Sequence, residues 1–385
     1  MRNLTSRVLA LASAAVVGMS VLTGQAQARD LRYALGLPPG ALPVQGAEMF
    51  AKAVEENSGG DLTVTVYALS LLNIPETSPG LRDGIADIGL VLTPYYPAEY
   101  PHINIIAESS MMLSLLGDQV RGREAMVFVP AMTEFLMTAC PECQQEFQAQ
   151  NQVFTGVLGG APYSLLCNTP VATLADLQGK RMRVGAANWS RWVSELGGTP
   201  VTMSGNEMME ALSQGVVDCI VASVPEIDNF NLGEAVSDVT TGIPGGIFTT
   251  SGQNVNLSVW QDLTPDQREA FLRAASDVMA WEGYSYHEAE DAVTTRLEGE
   301  GVNFHAPADD LIAATEGFVE SDLEAMAEYF QSNHGVERGA EMLDQFRQLL
   351  DKWVTLTEGA ETIDDFEQLY WSELFSAVDT EAYGL

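Results

Sequence analysis

The apolar positions of this chain alternate between two periods. "DLRYALGL" (30–37) and "DLTVTVYA" (61–68) place apolar residues at every second position, the repeat of a strand. Between them, "PVQGAEMFAKAVEENSGG" (43–60) sets Ala47, Phe50, Ala51 and Val54 on one helical face, and Gly59-Gly60 ends the helix. "SPGLRDGIADIGLVL" (78–92) reads as a helix, a glycine turn and a buried strand. This β-α-β-α-β order predicts a mostly parallel, open sheet with helices on both faces.

The pattern then restarts. "NQVFTGVLGGAPYSLLCNTPV" (151–171) predicts two strands, and "ADLQGKRMRVG" (175–185) a turn and a strand. "NWSRWVSELGG" (188–198) and "GNEMMEALSQG" (205–215) read as helices, "VVDCIVASVP" (216–225) as a buried strand and "NVNLSVW" (254–260) as a further strand. One long helical pattern runs from Thr264 to about Glu298, and after "GVNFHAP" (301–307) the chain is mainly helical. No repeat of 20–50 residues and no flexible linker separates the two α/β units. They are therefore expected to be lobes sharing crossing strands, with a ligand cleft at the carboxyl ends of those strands.

The first 28 residues stand apart. Arg2 and Arg7 precede an apolar run from Val8 to Leu22, and Ala26-Gln27-Ala28 has the small-x-small form of a secretory cleavage site. The run is short for a membrane span, which needs roughly 20 apolar residues. We expect cleavage after Ala28, leaving a soluble, exported chain of 357 residues, enough for two domains.

Charge narrows the function. Removing Arg2 and Arg7 from 18 basic residues leaves 16 against 53 acidic ones, a formal charge of −37. That argues against nucleic acid and anionic membrane surfaces as partners. Export permits disulfides among Cys140, Cys143, Cys167 and Cys219, and the pairing is left open. Cys140-Pro141-Glu142-Cys143 is one C-x-x-C pair without a second, and no histidine is near, so zinc is not expected. His102, His287, His305 and His334 fall in no metal spacing. There is no G-x-S-x-G elbow and no phosphate loop. "GLPPGALPVQG" (36–46) does not match a dinucleotide fingerprint. No cofactor is expected and the chain is read as a non-enzyme. The carboxylates around His287 are read as a solvated helix face.

"GKRMRVGAANWSRW" (179–192) concentrates four of the scarce cations. The period-2 alternation of "RMRV" sends Arg181 and Arg183 to one side of a strand and Met182 and Val184 to the other. Arg183 is nearer the carboxyl end, where the cleft should open. An arginine fork holds a carboxylate by two parallel hydrogen bonds. Asn188 can cap the next helix, and Trp189 in its first turn can reach the cleft. Lys180, Arg181 and Arg191 read as ordinary surface cations, and Trp192 as core.

Five segments, in order, give a family resemblance: "GAEMFAKAVEENSGGDLTVTVY", "LRDGIADIGLV", "LADLQGKRMRV", "GGTPVTMSGNEMMEALSQGVVDCIVAS" and "VWQDLTPDQREAF". Together they resemble the extracytoplasmic solute-binding proteins of TRAP (tripartite ATP-independent periplasmic) transporters, which include C4-dicarboxylate and sialic acid binders. The resemblance implies a two-lobed periplasmic-binding-protein fold with crossing strands and a long hinge-spanning helix. In the family, the arginine of the K-x-R-V strand binds the ligand carboxylate, and that position is Arg183. Many members carry D-G-Q-E-N-P after a second-lobe helix, where an asparagine touches ligand. This chain departs there, with Asp218-Cys219-Ile220-Val221-Ala222-Ser223, so Ser223 or Glu226 is expected to take part of that role. Tyr163, after "LGGAP", lies near another family contact. In "TPYYPAEYP", Tyr95 or Tyr96 is expected to line the cleft from the first lobe, with Tyr96 the residue chosen.

The expected organisation is a leader over 1–28, a first lobe of 29–159 plus 252–290, and a second of 160–251 plus 291–385. The expected role is capture of a small organic acid in the periplasm, by a monomer, for delivery to an ion-gradient-driven TRAP permease. Rival readings are a small amine or amino alcohol held by Glu226 and an aromatic wall, a binding protein of an ATP-driven importer, and an exported hydrolase.

Overall fold

The computed structural model describes residues 28–385, so all of the expected leader but Ala28 lies outside the described residues. Twelve strands follow in order: β1 (Arg29–Leu35), β2 (Leu62–Ala68), β3 (Ile88–Val91), β4 (Gln152–Val153), β5 (Val157–Pro162), β6 (Ser164–Cys167), β7 (Arg181–Val184), β8 (Thr199–Thr202), β9 (Cys219–Ala222), β10 (Asp238–Thr240), β11 (Ile247–Asn256) and β12 (Asn303–His305). They form two sheets. The first runs β2-β1-β3-β11-β4, with β5 also paired to β11; the second runs β12-β10-β6-β9-β7-β8. Each sheet has its own hydrophobic core.

The first sheet is not mostly parallel, with three of its five strand pairings antiparallel, whereas three of the five in the second sheet are parallel. β1 pairs in parallel with β2 and β3, and β7 with β8 and β9, as the β-α-β pattern requires. β11 runs antiparallel to β3, β4 and β5, and β6 antiparallel to β9 and β10. The reason is topological. These strands enter from the other lobe instead of returning over a crossover helix, so nothing forces the parallel direction. The chain crosses at Tyr163, between β5 and β6, and again before β11. Tyr163 N donates to the Gly246 carbonyl at 2.8 Å there, and a Cβ at Gly245 would lie 2.4 Å from the Tyr163 carbonyl oxygen. Only a residue without a side chain lets the two crossings touch this closely.

Helix Pro265–Glu300 spans both lobes. Phe271, Ala275 and Met279 pack in the first core, and Val293 and Leu297 in the second. Thr264 caps it in a reciprocal box with Gln267, and Gly301 ends it in the left-handed conformation. Helix Asp309–His334 also crosses: Leu311, Phe318 and Val319 belong to the second core, Met326 and Phe330 to the first. From Met326 through Phe375 the buried apolar residues join the first core, which corrects the assignment of 291–385 to the second lobe. The apolar face of helix Gly339–Leu356, with Phe346 edge-on to Phe128 at 5.0 Å, finds its cover on helix Glu124–Thr138. "NVNLSVW" is also corrected. The strand ends at Asn256, whose Oδ1 accepts from Ser258 N and Val259 N and starts the helix Leu257–Asp262.

Two ion pairs repeat the same construction in both sheets. Asp87, at the start of β3, accepts from Arg32 N, Nε and Nη2 of β1, and Asp218, before β9, accepts from Arg181 N, Nε and Nη2 of β7. The hydrogen bond from Arg181 holds the Asp218 carboxyl below its ordinary range. The aspartate of each Gly-x-x-Asp turn thus registers two parallel neighbours. All four cysteines are paired, Cys140 with Cys143 and Cys167 with Cys219; the second bond joins directly opposed residues of β6 and β9. Among the described residues, no helix is long and apolar enough to cross a membrane.

Candidate functional site

β7 delivers Arg183 to the carboxyl end of the second sheet, where it is buried. Its Nε and Nη2 donate to the Met203 carbonyl at 3.2 and 3.1 Å, and Nη2 donates to Tyr95 Oη at 2.7 Å. No carboxylate pairs with it among the described residues, and its Nη1 makes no hydrogen bond there. Burying an unpaired guanidinium is costly, and a ligand anion would offset that cost. Arg181 behaves as expected, exposed and paired with Asp218 at 2.7 Å. Arg191 does not. It is mostly buried, lies over the Tyr329 ring and bridges Glu108 at 2.9 Å and Asp322 at 2.7 Å, which joins both lobes and the crossing helix.

The cavity around Arg183 lies between the two lobes. It is lined from the first-lobe side by Leu37, Leu90, Leu92, Tyr95 and Glu282, and from the second by Arg183, Met208, Ser223, Glu226 and Phe230, with Tyr163 and Phe248 at the crossings. A water-sized sphere can centre over about 70 Å³ of it. One water needs on the order of 10–15 Å³ of such space, so the cavity takes several waters or one small molecule. The cleft is closed. Tyr95 Oη also accepts from Gly205 N at 3.0 Å, Asn206 Nδ2 donates to the Gly36 carbonyl at 2.8 Å, and Leu42 N donates to Asn229 Oδ1 at 2.9 Å.

The expected site residues separate into those that line this cavity and those that do not. Arg183, Tyr163, Ser223 and Glu226 line it. Ser223, just past β9, is buried with no partner for its hydroxyl among the described residues. Glu226 opens a short helix, and its Oε1 accepts from Tyr286 Oη at 2.9 Å, which in turn accepts from Asn229 Nδ2 at 3.0 Å. Burial raises the Glu226 carboxyl above its ordinary range, and burial raises the Tyr163 phenol well above its own. Trp189 is not on the wall. Its Nε1 donates to the Gly245 carbonyl at 2.7 Å, and its ring stacks at 4.3 Å behind Tyr163, so it buttresses the residue that faces the cavity. Tyr96 is also corrected. Its hydroxyl donates to the Ile74 carbonyl at 2.8 Å and its ring packs edge-on to Tyr100, whereas the neighbouring Tyr95 points into the cleft. Asn188 does not cap: the cap position is Ala186, and the Asn188 amide is buried without partners among the described residues. Trp192 is core, as expected, with Nε1 donating to Thr315.

Glu282, Tyr286, Phe248 and Thr250 were not anticipated. Glu282 lies on the long crossing helix, buried, and its Oε2 has no hydrogen-bond partner among the described residues. Burial first, and the charge of Glu226 second, push its carboxyl up to about 8. The signal was present in the sequence. Phe271, Ala275, Met279, Glu282 and Tyr286 fall at helical spacing on the buried stripe, and a carboxylate there cannot belong to a solvated face. Among the described residues, no group of His, Cys, Asp and Glu is placed to hold a metal ion.

Comparison with known proteins gives the same picture. The family described as "Bacterial extracellular solute-binding protein, family 7" (DctP) matches residues 34–329. A solute-binding protein of Albidiferax ferrireducens is 22% identical over 231 residues, 60% of this chain and 64% of that protein. One from Sulfitobacter sp. (strain NAS-14.1) is 24% identical over 289 residues, 74% of this chain and 82% of that one. Among solved structures, a Bordetella pertussis extracytoplasmic solute receptor binding pyroglutamic acid superposes with a TM-score of 0.67 at 22% identity, covering 83% of this chain and all of that one. A marine metagenome TRAP solute-binding protein specific for aromatic acid ligands gives 0.71 at 19%, covering 85% and 99%. A Desulfovibrio salexigens TRAP periplasmic solute-binding protein with bound orotic acid gives 0.71 at 16%, covering 84% and 99%. Two α/β lobes that share crossing strands, a closed cleft with an unpaired arginine, and a family match over most of the chain agree, and the chain belongs to family 7 of the bacterial extracellular solute-binding proteins.

Proposed function

We propose that this chain is the solute receptor of a TRAP transporter and that it takes a small organic acid by its carboxylate onto Arg183. The observation that carries this reading is the state of Arg183: buried in the interlobe cavity, with no acid partner among the described residues and one Nη free of hydrogen bonds, in a chain otherwise rich in acids. Pyroglutamate, aromatic acids and orotate are the ligands named for similarly folded receptors, and each carries a carboxylate. The ligand is held without turnover, the chain acts as a monomer in the periplasm, and the closed form is what the permease subunits recognise.

Arg183→Ala tests this. Truncating one partner of a buried, hydrogen-bonded charge pair costs about 2–4 kcal/mol, roughly 30- to 700-fold in Kd. Calorimetric titration with a panel of organic acids, after a melting curve has shown the variant folded, measures it. Arg183→Lys keeps the charge but loses the fork, and is expected to fall in between. Unchanged affinity for a carboxylate ligand in Arg183→Ala would overturn the assignment.

A further inference from the structure

The cavity that holds Arg183 also holds two carboxyl groups, and the organic-acid reading uses neither. Glu282 Oε2 is buried with no partner among the described residues. Glu226 is held by Tyr286 through Oε1, with Asn229 and Ser223 beside its carboxyl. Tyr286 is itself fixed by Asn229, so Glu226 is oriented and not merely present. Helix Leu42–Asn57 closes on Glu282 at Gly46, where a Cβ would lie 3.2 Å from Glu282 Oε2, so a glycine there lets the helix pack directly on the carboxyl.

We propose that the ligand is a zwitterion, with its carboxylate on Arg183 and a positively charged nitrogen between Glu226 and Glu282. This rests on the organic-acid reading and refines it. A ligand with only a carboxylate would take up Arg183 and bring a second negative group toward Glu226, whose one cationic neighbour is that same arginine. A plain amine would answer the acid pair and leave the guanidinium buried without an anion. A zwitterion supplies one partner to each, and buried charges persist where they are paired. Phe248 and Tyr163 line the same space, and aromatic rings favour a cation beside them. The volume of the cavity suits a molecule of amino-acid size. Burial, which makes the Glu282 carboxyl a weaker acid, agrees with this arrangement: without a cation the carboxyl keeps its proton near neutrality, and an adjacent positive nitrogen favours the carboxylate.

The test uses the mature chain and matched pairs of compounds that share a skeleton: L-proline with pyroglutamate, γ-aminobutyrate with butyrate, and glycine betaine with 3,3-dimethylbutyrate. Each pair differs in whether a cationic nitrogen accompanies the carboxylate. Thermal shift at 10 mM screens them and titration calorimetry gives Kd. The expected result is that a zwitterion binds at least tenfold tighter than its partner. Glu282→Gln and Glu226→Gln, both near-isosteric, should weaken the zwitterion at least tenfold and change the carboxylate-only compound less than threefold. Arg183→Ala should weaken both. If pyroglutamate binds as tightly as proline or tighter, and neither glutamine variant alters the preference, the zwitterion inference falls while the organic-acid reading stands. If Arg183→Ala leaves a bound zwitterion unaffected, the organic-acid reading falls. If no compound of either kind stabilises the protein, both fall.

Discussion

Replacing Glu282 with glutamine should make the stability order of variant and parent reverse between low and high pH. The carboxyl titrates at about 8 in the folded chain against an ordinary value of 4.5, chiefly because burial disfavours its charged form. The folded state therefore holds this proton more tightly than the unfolded one. Its contribution is fully present below about pH 4.5 and is lost as the pH rises through 8. At about 1.36 kcal/mol for each pH unit, the interval amounts to a loss on the order of 4 kcal/mol by pH 9. Glutamine does not titrate, and its amide, buried without a partner, costs about 1–3 kcal/mol at every pH. The variant should therefore be the less stable protein at pH 5 and the more stable one at pH 9, with a crossing between. Urea denaturation of both proteins at half-unit steps from pH 5 to 9 gives the difference. Burial also raises Glu108 and Glu290, each to about 7, but both proteins share those groups and their effects cancel in the difference. A difference that stays constant across that range would refute the account of Glu282 as a desolvated acid.

Two further changes probe closure and the covalent framework. Tyr95→Phe removes the hydroxyl that accepts from Arg183 and Gly205 across the cleft. A hydrogen bond to a charged group is worth about 1.5–3 kcal/mol, so Kd for whichever compound binds should rise by roughly 10- to 100-fold, mostly through faster dissociation in stopped-flow; an effect under twofold would show that the bond does not hold the lobes. Cys167 and Cys219 close a separation of 52 residues and Cys140 and Cys143 one of 3, so the loop-entropy relation puts loss of the first bond at about 4 kcal/mol and of the second at about 1.6 kcal/mol. Paired alanine variants in urea melts check the order, and the reverse order would contradict the entropic origin.

Much of the scaffold was readable because it depends on local periodicity. The strands β1, β2, β3, β7 and β9 and the long helix Pro265–Glu300 follow from alternation, helical stripes and caps within a few residues. Strand direction was not readable for β6 and β11, because a crossing from the other lobe leaves no local mark in the chain. The return of the C-terminal helices to the first core was missed for a similar reason. Helix Asp309–His334 changes core within one uninterrupted stripe, and periodicity says that a face is buried, not against what. Arg183 was legible from alternation together with family resemblance. Tyr95 and Tyr96 are adjacent, and only the turn at Thr93–Tyr95 decides which of them faces the cleft. Trp189 was placed on the wall because the first turn of its helix points that way, but Tyr163 stands between it and the cavity.

The distribution of the cavity residues decides whether binding can close the cleft. A ligand shifts an equilibrium between open and closed states only through contacts that differ between them. Arg183, Ser223 and Glu226 all stand on the second lobe, and a ligand touching these alone would bind open and closed forms alike. Glu282 lies where the long helix packs on the first core, beside Gly46, and Tyr95 projects from the first lobe. Both line the cavity from the side opposite Arg183. Tyr95 already joins Arg183 across the gap, and Tyr286, on the crossing helix, joins Glu226. At the proposed site, contacts from ligand to Tyr95 and Glu282 would be the ones added by closure, whereas Arg183 would supply capture in either form. On this division of the proposed site, a first encounter at Arg183 would precede closure, and the acid on the long helix would select which captured solute keeps the lobes shut.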